Sequence, residues 1–160
     1  MPRYDGYPHL STSPMSIWKW QTTPEQIQRS SERSMSGHIG LKITEIGPDF
    51  VRGRMEVDHR TMQPYGRLHG GASVVMAEEL GSFGANLCLD PNEAFAVGLD
   101  INANHLRGVT GGAVIGTARP VHIGRSTQVW EIRIETEAGE LACISRLTMA
   151  VVSKKAGKGG

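Results

Sequence analysis

Apolar and polar residues alternate along most of the second half of the chain. Four stretches there are typical of extended chain: residues 94–106, 112–123, 127–136 and 140–152. In the third, Trp130, Ile132 and Ile134 share one face, because strand side chains alternate between the two faces of a sheet. In the first, one face of the predicted strand carries four alternate residues: Val97, Leu99, Ile101 and Ala103. The pattern therefore predicts four long strands, with a glycine-containing hairpin loop at 137–139 before the last one.

One stretch in the middle of the chain, residues 71–87, has apolar residues on nearly all sides of a helix. A helix that is apolar all round must be wrapped by other structure. Glu78 and Glu79 interrupt this stretch, although burying an isolated ionised carboxylate is costly. The sequence therefore predicts a buried central helix with two acids whose surroundings need an explanation.

A short surface helix is predicted near the start of the chain. Thr23 offers an N-cap, Pro24 occupies the first helical position, and Gln26 is placed as the capping-box partner. These signals predict a helix that runs to about Ser34.

Two further alternating stretches, residues 39–46 and 50–57, flank a Gly-Pro-Asp turn and should form a hairpin. The order is then a hairpin, one helix and four antiparallel strands. This order predicts an α+β fold in which a single antiparallel sheet wraps around one long helix. We expect one domain over residues 17–153, with flexible tails at 1–16 and 154–160.

Length and charge argue against several classes of protein. The chain has 160 residues, and its 17 Lys and Arg residues nearly balance 16 Asp and Glu residues, which argues against nucleic acid or an anionic membrane as a partner. No apolar stretch reaches the roughly 18 residues of a membrane span, and the first residues lack the apolar core of a secretory signal. Cys88 and Cys143 have apolar neighbours and no metal-ligand spacing, which favours buried free thiols. We expect a cytoplasmic protein.

Helical geometry separates the two acids of the central helix. Gly71, Val74, Glu78 and Ser82 fall on one stripe, whereas Glu79 points about 100° away. From spacing alone, a catalytic carboxylate and an exposed carboxylate both remain open for Glu78. Solvent exposure or an arginine partner is the expected explanation for Glu79.

Several ordered blocks of the chain resemble one family. They are IWK at 17–19, RTMQPYGRLHGGASVVMAEELGS at 60–82, GLDINANHLR at 98–107, VHIGRSTQVWEI at 121–132 and SRLTMAVV at 145–152. These blocks are similar to the hotdog-fold acyl-CoA thioesterases, specifically the branch with 1,4-dihydroxy-2-naphthoyl-CoA thioesterase of menaquinone synthesis and its enterobactin-pathway relative. The resemblance implies that Glu78, nine residues after His69, is catalytic. Glu79 departs from the family pattern, in which a small polar residue is expected.

The residues around Glu78 have physical roles in such a reaction. Thioester hydrolysis drives negative charge onto the carbonyl oxygen, which the N–H groups of Gly70 and Gly71 at a helix start can bind. A tight turn with positive φ is the other role for these glycines. His69 either orients the acyl group or caps the helix. Gln63 resembles the family glutamine that hydrogen-bonds near the thioester, or it is a surface turn residue. Ser82 either positions a water or bonds back to its own backbone.

Two mechanisms remain open for Glu78. It either attacks the thioester, which gives an anhydride with the enzyme, or acts as general base on a water. A serine or cysteine nucleophile is disfavoured, because the chain has no Gly-x-Ser-x-Gly elbow and no cysteine in a reactive setting. We expect neither a cofactor nor a metal.

The resemblance also implies where CoA binds. It indicates four residues beside the CoA nucleotide: His105, Arg107, Arg125 and Ser126. Taken alone, each arginine is best explained as a solvated surface charge. Val75, Met76 and Phe83 either line the acyl pocket or pack in the core. The family further implies a homodimer or homotetramer with active sites between subunits.

The resemblance thus implies hydrolysis of an aromatic acyl-CoA, with 1,4-dihydroxy-2-naphthoyl-CoA as one candidate. A phenylacetate-pathway or broad-range proofreading thioesterase is the alternative enzyme. An acyl-CoA-binding protein that keeps the fold without catalysis is the alternative of another class. A hotdog dehydratase is disfavoured, because the motif lacks the expected pairing of histidine and acid.

Overall fold

The computed structural model describes residues 16–154, so the predicted tails lie almost entirely outside the described residues. The elements follow in chain order as α1 (Pro24–Ser31), α2 (Met35–His38), β1 (Lys42–Ile46), β2 (Val51–Glu56), β3 (Met62–Gln63), β4 (Arg67–Leu68), α3 (Gly70–Leu87), β5 (Ala94–His105), β6 (Ala113–Ile123), β7 (Thr127–Thr136) and β8 (Leu141–Ser153).

Six strands form one antiparallel sheet in the order β1-β2-β6-β7-β8-β5. Helix α3 packs across this sheet and contacts β2, β5, β6, β7 and β8. The strands bury the alternate residues that face the helix, as the period of two predicts. The predicted α+β architecture, with an antiparallel sheet around one long helix, is confirmed.

Polar groups inside the core are paired. Trp130 is fully buried, and its Nε1 donates to Gln128 Oε1 at 3.0 Å. The amide of Gln128 in turn donates to the carbonyl of Ala85 on α3 at 3.2 Å. These bonds tie β7 to the helix and satisfy side chains that would otherwise be costly to bury.

The amino-terminal helix has the predicted start but not the predicted end. Thr23 accepts from the Gln26 N–H while Gln26 accepts from the Thr23 N–H, which confirms the capping box. The prediction that this helix runs to about Ser34 is wrong, because α1 ends at Ser31. Ser34 instead accepts from the Gly37 N–H and caps the separate helix α2.

Strand β5 departs from simple alternation. Its pairing with β8 shifts between Gly98 and Asp100, so Leu99 is the extra residue of a β-bulge. The prediction that one face carries Val97, Leu99, Ile101 and Ala103 is therefore wrong. Ile101 and Ala103 are half-buried, whereas Val97 and Leu99 are exposed.

Both cysteines are buried free thiols, as predicted. Burial raises the pKa of Cys88 to about 12, which makes its thiol unreactive at neutral pH. Within residues 16–154, none of the helices has the length and apolar character needed to cross a membrane.

Candidate active site

The Glu78 carboxylate lies in the crevice between α3 and β5, where glycine leaves room for it. A methyl group built on Gly98 would stand 2.5 Å from Glu78 Oε1. Gly98 immediately precedes the bulged Leu99, so the irregular part of β5 faces the acid. Bulges next to active sites commonly re-aim side chains, and glycine in a strand often marks a close approach.

The electrostatic surroundings of Glu78 favour its protonated form. Burial raises the pKa of its carboxyl group, and the adjacent charge of Glu79 raises it further. Ser82 acts in the opposite direction, because its hydroxyl donates to Glu78 Oε1. That O–O distance is 3.4 Å, longer than an ordinary O–H···O bond, so the hydroxyl stabilises the charge only weakly. Ser82 therefore bonds to side chains, namely Glu78 and, at 3.8 Å, the sulfur of Met149, and the alternative of a bond back to its own backbone is wrong.

Asn86 fixes the width of the crevice one turn beyond Ser82. Its Nδ2 donates to the carbonyls of Ser82 at 2.9 Å and Ala96 at 3.2 Å. Its Oδ1 accepts from the Ala96 N–H at 2.9 Å. One side chain thus joins α3 to β5 two residues before Gly98 and holds the two walls at a set distance.

The first turn of α3 has one uncommitted amide. His69 is the N-cap, and its Nδ1 accepts from the Gly71 N–H at 2.8 Å. The N–H groups of Ala72 and Ser73 point to the carbonyl of His69. Within the described residues the Gly70 N–H makes no hydrogen bond, so Gly70 rather than Gly71 offers the free donor.

Neither Gly70 nor Gly71 has positive φ, so the interpretation of these glycines as residues of a tight turn with positive φ is wrong. Close approach is the observed reason for glycine. A methyl group on Gly70 would lie 2.9 Å from His105 Nε2, and one on Gly71 would lie 3.0 Å from His69 Nδ1. The imidazole of His105 therefore borders the free Gly70 amide.

Gln63 lies at the same end of α3. It belongs to the β3–β4 hairpin, whose turn is closed by the Gly66 N–H donating to the Gln63 carbonyl at 3.0 Å. Gly66 has φ of 72°, the left-handed conformation that favours glycine. The hairpin is held at the helix start, since the His69 N–H donates to the Thr61 carbonyl at 2.8 Å.

Within one chain, Glu78 lies far from the Gly70 amide and from Gln63. Glu78 is eight residues beyond Gly70, which corresponds to about 12 Å along the helix at 1.5 Å per residue. The free N–H groups of a first turn also point out of the amino end, away from Glu78. A single thioester cannot contact both within one chain.

The predicted CoA residues fall into two groups. Arg107 follows β5 and pairs with Glu140 at 3.3 Å, and its N–H donates to the Ala142 carbonyl. The carbonyl of Ser126, next to Arg125, accepts from the Val151 N–H. Since Ala142 and Val151 are nine residues apart on β8, the groups are separated by about 30 Å within one chain.

The remaining predictions concern the surroundings of the helix. Glu79 is half-buried and accepts from the hydroxyl of Ser36 at 2.8 Å, so the expectation of an exposed or arginine-paired acid is wrong. Met76 is fully buried and belongs to the core, while Val75 and Phe83 are partly buried against it. No cluster of three or more His, Cys, Asp or Glu side chains within residues 16–154 is suited to a metal ion.

A cavity of about 530 Å³ lies elsewhere, at the carboxyl end of α3. Its walls include Trp18, Trp20 and Leu87, and none of the predicted site residues. Glu78 is more than two turns away along the helix, so this cavity is separate from the crevice that holds the acid.

Gly98 and Asn86 shape the site but were not among the predicted site residues. Glycine inside an alternating strand is a known signal for a bulge or a close approach, so the sequence could have predicted a special role for Gly98. Asn86 had no comparable signal, because its partners on β5 become neighbours only in the folded chain.

A long central helix wrapped by a six-stranded antiparallel sheet defines a hotdog fold, and the relatives of this chain include thioester hydrolases. Residues 65–143 match the family model of the Thioesterase superfamily. The chain is 46% identical over 136 residues to 1,4-dihydroxy-2-naphthoyl-CoA hydrolase of Escherichia coli, across 85% of this chain and 99% of that protein. It is 43% identical to the proofreading thioesterase EntH of Cronobacter turicensis, across 85% and 98%. A thioesterase structure from Haemophilus influenzae superposes with a TM-score of 0.86 and 45% identity, across 89% and 99%. The chain belongs to the Thioesterase superfamily.

Proposed function

We propose that this thioester hydrolase acts on acyl-CoA and that Glu78 is its catalytic carboxylate, acting as nucleophile or general base. The observation that carries the proposal is the Glu78 carboxylate held in a crevice against Gly98, where burial raises its pKa. A base is most effective when its pKa approaches the working pH, and a desolvated carboxylate is also a stronger nucleophile than one in water. The exposed alternative for Glu78 does not explain why a strand glycine makes room for it.

The reaction requires two protomers in this proposal. Glu78 of one protomer attacks the thioester or activates a water molecule. The Gly70 amide and Gln63 of the other protomer bind the carbonyl end of the thioester. The separation of about 12 Å between Gly70 and Glu78 in one chain supports this division. His69 orients the turn by accepting from Gly71, which keeps the first-turn amides in place.

Strand β5 supports pairing between protomers. It is a twelve-residue edge strand, and Phe95, Val97 and Leu99 along it are exposed. A long exposed edge strand with apolar side chains tends to pair with another chain unless it is covered. Antiparallel pairing of β5 with its copy forms a dimer, and it brings Arg125 and Ser126 toward the CoA that lies near the partner subunit's His105. A tetramer of such dimers is consistent with the same edge.

Hydrolysis of benzoyl-CoA, followed with a thiol reagent, tests the function. The wild type should release free CoA, and Glu78→Gln should lose about 10²- to 10⁴-fold in rate, the usual contribution of such a group. Glu79→Gln is the matched control, because Glu79 bonds to Ser36 outside the crevice and should keep most of the rate. If the wild type binds acyl-CoA and releases none, the non-catalytic acyl-CoA-binding function replaces this proposal.

A single turnover in ¹⁸O-water distinguishes the two chemical routes. In the nucleophilic route, Glu78 bonds to the acyl carbon, the CoA thiolate leaves and takes a proton, and water then hydrolyses the anhydride at the glutamyl carbon. The first product molecule then receives its new oxygen from Glu78 and carries no label. In the general-base route, water attacks the acyl carbon directly and the first product is labelled.

We infer an aromatic acyl group, with 1,4-dihydroxy-2-naphthoyl-CoA as the leading candidate. Similarity to the Escherichia coli hydrolase supports this substrate, and similarity to EntH supports a broad-range proofreading role as the alternative. A comparison of kcat/KM across naphthoyl, benzoyl, phenylacetyl and fatty acyl thioesters tests the choice. A clear preference for the naphthoyl ester is expected, and equal rates across the series favour proofreading.

A further inference from the structure

We propose that Arg67, together with Arg107, binds the phosphate-bearing end of CoA at the amino end of α3. This inference rests on the proposed acyl-CoA function and adds a residue outside the predicted nucleotide set. Arg67 lies on β4, two residues before the N-cap His69.

The fold places Arg67 next to the segment that carries Arg107. A methyl group built on Gly108 would stand 3.2 Å from Arg67 Cδ and 3.6 Å from its Nη1, so the arginine stem runs along Gly108. The backbone fixes this neighbourhood, because the Leu68 N–H donates to the Val109 carbonyl at 2.7 Å. Arg67 therefore lies against the residue that follows Arg107 in the chain.

The charges of this surface are only partly balanced. Arg107 pairs with Glu140, and both side chains are about half exposed. Arg67 is exposed and makes no ion pair within the described residues. Among residues 16–154, only one of these two guanidinium groups has an acid partner, so the excess positive charge attracts an anion. The planar fork of arginine matches phosphate oxygens in particular.

The position also suits a CoA ester. The Gly70 amide, where we propose the carbonyl oxygen binds, lies three residues after Arg67. The pantetheine arm separates the thioester from the phosphates, so phosphate ligands are expected near this end of α3 but not at Gly70 itself. Arg125 of the same chain lies about 30 Å away, so within one chain Arg67 is the arginine placed next to the Arg107 segment.

The test measures binding without catalysis. Phenacyl-CoA has a methylene group between sulfur and ketone and cannot be hydrolysed, and its 3′-dephospho and pantetheine forms lack one or all phosphates. Titration calorimetry should show that Arg67→Ala weakens phenacyl-CoA binding about tenfold, as expected for loss of one charge-assisted bond. Arg133→Ala is the control, because Arg133 is also an exposed arginine, on β7, and the variant should bind as the wild type does.

The three ligands identify the phosphate. If Arg67→Ala weakens binding of phenacyl-CoA but not of its dephospho form, Arg67 binds the 3′-phosphate. If the variant weakens binding of both and not of the pantetheine form, Arg67 binds the pyrophosphate. An equal loss for all three ligands, or none for phenacyl-CoA, overturns the inference. Failure of the proposed function is a different result, namely wild-type protein that releases no CoA from benzoyl-CoA.

Discussion

Helix α3 contacts the sheet through two faces, and glycine has a different role on each. On the side of β7 and β8, glycines admit large apolar groups: a methyl on Gly84 would lie 2.6 Å from the Trp130 ring, and one on Gly81 would lie 2.6 Å from Leu147. On the side of β5, Gly98 admits the charged end of Glu78. Small residues thus provide close packing on one face and room for an ionisable group on the other.

Substitutions on the two faces of α3 should have different consequences. A rigid ring such as that of Trp130 cannot move without disturbing a core packed at crystal-like density. The end of a glutamate side chain can rotate away at little cost in stability. Changes on the core face should therefore act on the free energy of unfolding, and changes on the β5 face should act on the reaction.

Among the variants that compare the two faces, Gly98→Ala should have the largest effect, and that effect is on the reaction. The added methyl would displace Glu78 Oε1 from a position 2.5 Å away, and a misplacement of about 1 Å can cost about 10²-fold in rate. Steady-state kcat with benzoyl-CoA measures this loss, and the melting temperature should change little. Gly111→Ala is the control, because nothing lies within 4 Å of its added methyl. Full activity of Gly98→Ala would show that the crevice does not position the acid.

Gly84→Ala should have the opposite profile. Its methyl would stand 2.6 Å from Trp130 Cζ3, and such overpacking costs about 1–3 kcal/mol in the free energy of unfolding. Chemical denaturation measures that cost, while kcat per folded molecule should stay near the wild-type value. Equal stability of the variant and the wild type would contradict the close packing assigned to this face.

The pH dependence should give a smaller effect. Because Glu78 must be ionised to act, the acid limb of kcat/KM should have its midpoint above the ordinary glutamate pKa of 4.5. Ser82→Ala removes a bond that stabilises the charge, so the limb should move to still higher pH with a several-fold loss of rate below it. A limb that stays in place in this variant would remove Ser82 from the site.

The raised pKa of Glu78 also makes the stability of the protein depend on pH. The folded protein holds the Glu78 proton more tightly than the unfolded chain, so this contribution is present at low pH and is lost as pH rises through the raised pKa. Glu78→Gln should therefore melt at a higher temperature than the wild type at neutral pH.

The sequence predicted those parts of the molecule that depend on local pattern. The apolar helix 71–87 and the strand around Trp130 follow from periodicity, and Glu78 stood out because a carboxylate is unusual in such a helix. The bulge at Leu99 broke the expected alternation of β5, because a bulge is decided by pairing with β8. Asn86 and Arg67 gain their partners only through tertiary contacts with segments at least ten residues away.

Mixing of inactive subunits tests the central claim most directly. If one active site takes Glu78 from one protomer and Gln63 from the other, a hybrid of Glu78→Gln and Gln63→Ala subunits contains one fully intact site. Random exchange in a two-fold dimer then restores about a quarter of wild-type kcat from two nearly inactive parents. Activity that stays at the level of the parents after verified exchange would contradict a site shared between subunits.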